Sequence, residues 1–183
     1  MTNNIYPAFV LHNSSCTDRS EIVNELVKKT KATVFQSYLL PDKKKGCCAS
    51  HIGALKLSRS LHPLKHTLIF EDDCVLEEGW EEALKGLEFA DVVYLGYNDK
   101  CEHTVFGTHA LLLSPKARDV IIEHTMDIRN ELPSISDGAY DWVLSKLCRK
   151  YGLITCLPKL EDKEKWCHQQ KGLMSIITGK VRV

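Results

Sequence analysis

The chain has 183 residues, 44% of them hydrophobic and 26% charged, enough for one compact domain with a real core. Its 24 Lys and Arg balance its 24 Asp and Glu, which argues against a general nucleic-acid or membrane-surface role. No stretch approaches the roughly 18 apolar residues of a membrane helix, and MTNNIYPAFVLHNSS lacks the features of a secretion signal, so a cytoplasmic location is expected.

Residues 5–12, IYPAFVLH, read as a strand, followed by the polar loop HNSSCTDRSE. Asp18 and Glu21 have capping-box spacing, so a helix should start there, with Ile22, Val23, Leu26 and Val27 on one face. Residues 32–40 read as a second strand, and Pro41 with Lys43, Lys44 and Lys45 as a solvated loop tip. A helix over 47–61 turns Ile52, Leu55 and Leu61 inward and stops at His62-Pro63. Residues 66–70 form a short buried strand, 77–87 a short acidic helix and 91–95 another buried strand, closed by Gly96 to Asp99. Residues 104–113 read as extended. Ser114 then caps a helix with Pro115 in its first turn, running to about His124. After a turn at 134–137, Tyr140, Val143, Leu144 and Leu147 define a helix ending at Gly152, and 153–157 make a last strand. From Glu161 the chain is polar and irregular.

Strands and helices alternate, and the strands are apolar on both faces. That pattern predicts a single α/β domain, a mainly parallel sheet flanked by helices, with 161–183 as a tail completing the domain of 1–160. The eight cysteines read as free thiols, because nothing marks the chain for an oxidising compartment. Cys167-His168 alone looks like part of a metal-ligand set.

Glu71, Asp72 and Asp73 pose the main question. Three adjacent carboxylates repel one another and are costly to bury, yet they end an apolar strand. In open α/β sheets ligands sit beyond the carboxyl ends of the strands. Alternation along an extended chain lets Glu71 and Asp73 point one way and Asp72 the other. Two carboxylates on one side suit Mg2+ or Mn2+, which would offset the repulsion and accept a diphosphate. The plain alternative is a solvated acidic turn.

The order and wording of the motifs resemble glycosyltransferase family 25, the lipopolysaccharide and collagen-type galactosyltransferase group. The resemblance rests on FVLHNSSCTDR at 9–19, GCCASHIGALKL at 46–57, LIFEDDCVL at 68–76, DVVYLGY at 91–97, GTHALLLSPKA at 107–117 and YDWVLSKLCRKYGLITCLPKL at 140–160. The chain is short for that family, and His12-Asn13 stands where many members have Asn-Leu. The resemblance implies a GT-A type, Rossmann-like fold. It also implies a nucleotide-diphosphate sugar donor, most often a UDP-sugar, and inversion at the anomeric carbon onto a glycan-type acceptor hydroxyl. Asp73 would bind the metal, with Glu71 or Asp72 on metal or ribose. His168 is either a third metal ligand or a tail histidine.

Inverting transfer needs a general base beside the acceptor hydroxyl. Asp141 and Asp137 are the candidates: Asp141 lies better against the family pattern, and Asp137 is better placed as a helix cap. Arg19 is a candidate for reaching the nucleotide or for a surface salt bridge. Asn13 and Ser14 end strand one, where a base docks. Ser50 and His51 precede the carboxylate strand, where His51 contacts the donor phosphate or packs in the core. Tyr97 and Asn98 are expected on the acceptor side. Trp80, Trp142 and Trp166 either stack on sugars or pack. Two rivals remain. A metal-dependent phosphodiesterase would want a Lys beside a further acid on the adjacent strand, and DVVYL offers Asp91 but no such Lys. A non-catalytic nucleotide-sugar-binding domain would bind donor without turnover.

Overall fold

The computed structural model describes residues 6–101, 104–131, 139–159 and 166–169. β1 (Ala8–His12) and β2 (Thr33–Gln36) run parallel, joined by α1 (Ser20–Thr30). α2 (Lys43–Leu61) returns the chain to β3 (Thr67–Glu71), parallel to the other side of β1 with Leu11 opposite Glu71. The short β4 (Cys74–Leu76) leads to β5 (Val92–Tyr94), and β6 (Asp99–Cys101) and β7 (Thr104–Phe106) pair as antiparallel neighbours. β8 (Ala110–Leu113), α3 (Pro115–Glu131), α4 (Tyr140–Lys150), β9 (Thr155–Cys156) and β10 (Cys167–Gln169) follow. The six-stranded sheet has the order β2-β1-β3-β8-β5-β9. It is mainly parallel, with β8 antiparallel to both β3 and β5. The expected single α/β domain with helices flanking the sheet is therefore present.

Alternation along the strands builds two cores. Phe9, Leu11, Ile69, Tyr94 and Leu111 face α2, α3 and α4. Val10, Leu68, Phe70, Val93 and Leu112 face α1, Trp80 and β4. Strands buried on both faces need near-continuous apolar runs, which these are. β2 lies at the edge and is largely exposed.

Several boundaries differ from expectation. The stretch 104–113 is two strands, broken at Gly107, whose φ of +99° suits glycine. A Cβ there would lie 2.8 Å from the Asn98 nitrogen. The lysines at 43–45 open α2, because the Asp42 side chain accepts from Lys45 N at 3.0 Å and caps the helix four residues early. Leu61 is exposed, since the inward face of α2 runs through Ile52, Leu55 and Ser58. Left-handed Gly79, φ +75°, interrupts the acidic segment, leaving a 3-10 turn over Trp80–Leu84. Asp18 makes no cap; a 3-10 turn over Thr17–Arg19 leads into α1. α3 continues to Glu131 because Ile121, Thr125 and Ile128 keep one face buried. Within the segment read as irregular, β10 pairs antiparallel with β4. The Ser114 cap, whose hydroxyl oxygen accepts from Ala117 N at 3.1 Å, and the Gly152 stop, φ +60°, are both present. Among the described residues no helix is long and apolar enough to cross a membrane.

Arg118 of α3 is buried and donates to the carbonyls of His62 at 3.0 Å, Lys65 at 3.3 Å and Pro63. It thereby satisfies the turn that carries α2 into β3. Arg118→Met should destabilise the protein by about 2–3 kcal/mol, read as a lower urea midpoint at unchanged slope.

Candidate functional site

The carboxyl ends of β1, β2 and β3 meet at one edge of the sheet, and a cleft opens there. Its floor carries Glu71, Asp72 and Asp73; its wall is Leu11 with Tyr38, Leu39 and Leu40 of the loop after β2. The wall exists because α2 comes unusually close to that loop. A Cβ on Gly46 would lie 2.7 Å from the Tyr38 carbonyl oxygen. One turn on, the Ser50 hydroxyl donates to Gly46 O at 2.8 Å and accepts from Tyr38 N at 2.9 Å. Ser50 is thus a staple for the cleft wall, with its hydroxyl engaged by backbone. Asn13 does similar work: its amide donates to Ser37 O at 2.8 Å, and its oxygen accepts from Ser15 N at 3.0 Å.

Strand parity sends the carboxylates apart. Glu71 shares its face with Ile69, toward α2. Its Oε1 accepts from the Thr108 hydroxyl at 2.8 Å and lies 3.4 Å from His51 Nε2, an ion-pair distance that completes no hydrogen bond. Burial pushes the Glu71 carboxyl up, but His51 and Thr108 outweigh it and hold it below the ordinary range. Asp72 turns the other way. It faces His12 Nδ1 at 3.0 Å and receives Arg19 Nη1, which also lies 3.4 Å from Asp73 Oδ2. Arg19, Asp72 and Asp73 are all buried. Burial would lower the Arg19 pKa, but the two aspartates overcome it and raise it.

Arg19 is therefore neither an exposed surface pair nor a free arm toward a ligand. It lines the cleft beside the acidic floor and balances it. Asp141, at the start of α4, accepts from Gly107 N at 3.3 Å. Burial, followed by the charge of Glu71, pushes its carboxyl up to about 6. Asp137 lies outside the described residues. His168 sits in β10 with Nδ1 3.1 Å from Glu77 and does not line the cleft. Tyr97 is fully buried, which removes it from an acceptor surface; Asn98 donates to Gln169 at 2.6 Å. Trp80 is core, as packing favours, Trp142 meets Phe106 edge-on at 5.8 Å, and Trp166 is partly buried.

The sequence reading missed His12, Cys47 and Thr108. His12 follows from strand parity with Asp72 across β1 and β3. Cys47 lies one helical turn from His51, a spacing that brings both onto one face. Thr108 carried no signal, because its approach depends on the break at Gly107.

The chain matches no protein-family model and no curated protein. Among solved structures it is similar to a glycosyltransferase involved in the glycosylation of the major capsid of PBCV-1: 11% identity, TM-score 0.53, over 81% of this chain and 76% of that one. It is also similar to the glycosyltransferase GlyE of Streptococcus pneumoniae TIGR4: 9% identity, TM-score 0.54, over 87% of this chain. An apo form of GlyE gives 9% identity and TM-score 0.53 over 85% of this chain. The chain spans 46% of the length of GlyE. The fold is thus one that glycosyltransferases share.

Arg19→Leu would leave Asp72 and Asp73 buried as like charges, at a cost of about 3 kcal/mol or more at neutral pH. The cost is like-charge repulsion, so it should shrink in acid, where that repulsion is relieved. Urea unfolding of the variant at pH 5 and pH 8 measures both parts.

Proposed function

We propose that the protein is a metal-dependent inverting glycosyltransferase. It transfers a hexose from a nucleotide-diphosphate sugar, a UDP-hexose, to a hydroxyl of a glycan-type acceptor. The observation that carries this reading is the cleft itself. It joins an acidic floor at a strand edge to an apolar wall on a glycosyltransferase-like fold.

The charges fit a divalent cation. Glu71, Asp72 and Asp73 bring three formal negatives to the cleft against the positives of Arg19 and Lys43, so the lining stays net negative. Glu71 and Asp73 would hold the ion. Asp72, already committed to Arg19 and His12, orients the floor and faces the ribose. Bound Mn2+ or Mg2+ would offset the charge that grows on the departing diphosphate. Leu11, Tyr38, Leu39 and Leu40 offer the flat apolar contact that a nucleobase needs, and Asn13 and Ser50 keep that wall in place.

Asp141 is the general base of this reading. A carboxyl pushed up to about 6 combines an ionised form at neutral pH with real basicity. It would take the proton of the acceptor hydroxyl as that oxygen bonds to the anomeric carbon from the face opposite the diphosphate. The sugar–phosphate bond breaks in the same step, through an oxocarbenium-like state, and the configuration inverts.

Nucleotide release from a panel of nucleotide sugars, with Mn2+ and with EDTA, tests the assignment. Release from one donor, lost in EDTA and in Asp73→Ala, is expected. Stabilisation by UDP and Mn2+ without turnover under any acceptor would instead mark a binding domain. A panel with neither release nor stabilisation would sink both. The rate should fall as pH drops through about 6, and Asp141→Asn should lose roughly 100- to 10,000-fold in rate while keeping donor affinity.

A further inference from the structure

Cys47 and His51 stand one turn apart on α2, and Glu71 faces them from the end of β3. One ligand atom from each, a sulfur, an imidazole nitrogen and a carboxylate oxygen, lie within 4.8 Å of one another. Among the described residues this is the group of three such side chains that converges on a point. His51 is completely buried, and neither ring nitrogen completes a hydrogen bond. A buried ring nitrogen left so is unfavourable, and Nε2 faces the Glu71 carboxylate at 3.4 Å. The ring cannot swing away to find a partner, because it stacks on Tyr140 with 3.7 Å between centroids and 17° between planes. Cys47, His51 and Glu71 all line the cleft, which supplies a path inward.

The geometry points to a binding site for a transition-metal cation of the zinc class, held by Cys47 Sγ, His51 Nε2 and a Glu71 oxygen, with its fourth position open to the cleft. A sulfur–nitrogen–oxygen set suits zinc and excludes a preference for magnesium or calcium, which take oxygen. Binding converts the Cys47 thiol to a thiolate and releases its proton to solvent. The site differs from the oxygen pair Glu71 and Asp73 assigned above to the donor metal, but shares Glu71 with it. Where that assignment holds, the two ions exclude one another, and zinc is an inhibitor. Binding at the three residues does not depend on it.

The test uses the full chain, reduced and freed of metal. One equivalent of Co2+ should produce thiolate-to-cobalt charge-transfer absorption, and Zn2+ should abolish it. Cys47→Ser should lose the band and weaken Zn2+ binding about tenfold or more, while Cys74→Ser keeps both. Zn2+ should also protect Cys47 of the wild-type chain from alkylation, mapped by peptide mass, a readout that requires no variant to fold. A band that survives in Cys47→Ser or vanishes in Cys74→Ser would overturn the site. So would alkylation of Cys47 at the same rate with and without Zn2+.

Discussion

The fold tolerates an acidic strand end because one guanidinium lies beside it. Arg19 donates to Asp72 and approaches Asp73 at 3.4 Å, with all three groups out of water. Without that cation the strand end would carry adjacent buried negatives, and the sheet edge would open to hydrate them. With it, Asp72 is fixed, β1 is tied to β3 through His12, and Glu71 is left to face α2. The chain accepts a cost for this arrangement. α1 begins after Arg19, a donor-only side chain that can supply no N-cap and is committed to the floor.

A second constraint shapes the wall. Gly46 and Ser50 let α2 sit against the loop after β2 so closely that the Ser50 hydroxyl accepts from Tyr38 N of the loop while donating to Gly46 O of its own helix. Tyr38, Leu39 and Leu40 remain partly or largely exposed as a result. An apolar surface held open by backbone contacts is suited to a flat ligand. The same helix places Cys47 and His51 over Glu71, so wall and floor share one rigid support.

Much of this was legible in the sequence. The apolar run at 66–70 ending in three acids marked both a central strand and its ligand edge, and β3 is that strand. Ser114-Pro115 and Gly152 marked helix ends by local chemistry, and local chemistry is what decides them. Other features depend on pairings that no local pattern encodes. β8 enters antiparallel between β3 and β5 because the chain reverses around Gly107, and its residues are apolar in either direction. β10 is only Cys-His-Gln, and its strand character comes from pairing with β4. The inward turn of Arg19 could not be read, because an arginine beside a helix start is ordinarily solvated; only the register of β3 supplies its partners. Leu61, expected inward with Ile52 and Leu55, turns to solvent at the last residue of α2.

The topology also divides the site by sequence distance. Among the described residues the side chains that meet Asp72, His12 and Arg19, precede it, together with the strands β1 and β2 that frame them. The partners of Glu71 and Asp141 come from both sides: Thr108 lies 37 residues beyond Glu71, and Asp141 reaches back 34 residues to Gly107. As the chain leaves the ribosome from its N-terminus, the charge-balancing half of the floor can close before the half that orients Glu71 and the base has been made. Assembly in that order keeps the growing chain from exposing an unbalanced acidic edge while it waits for β8.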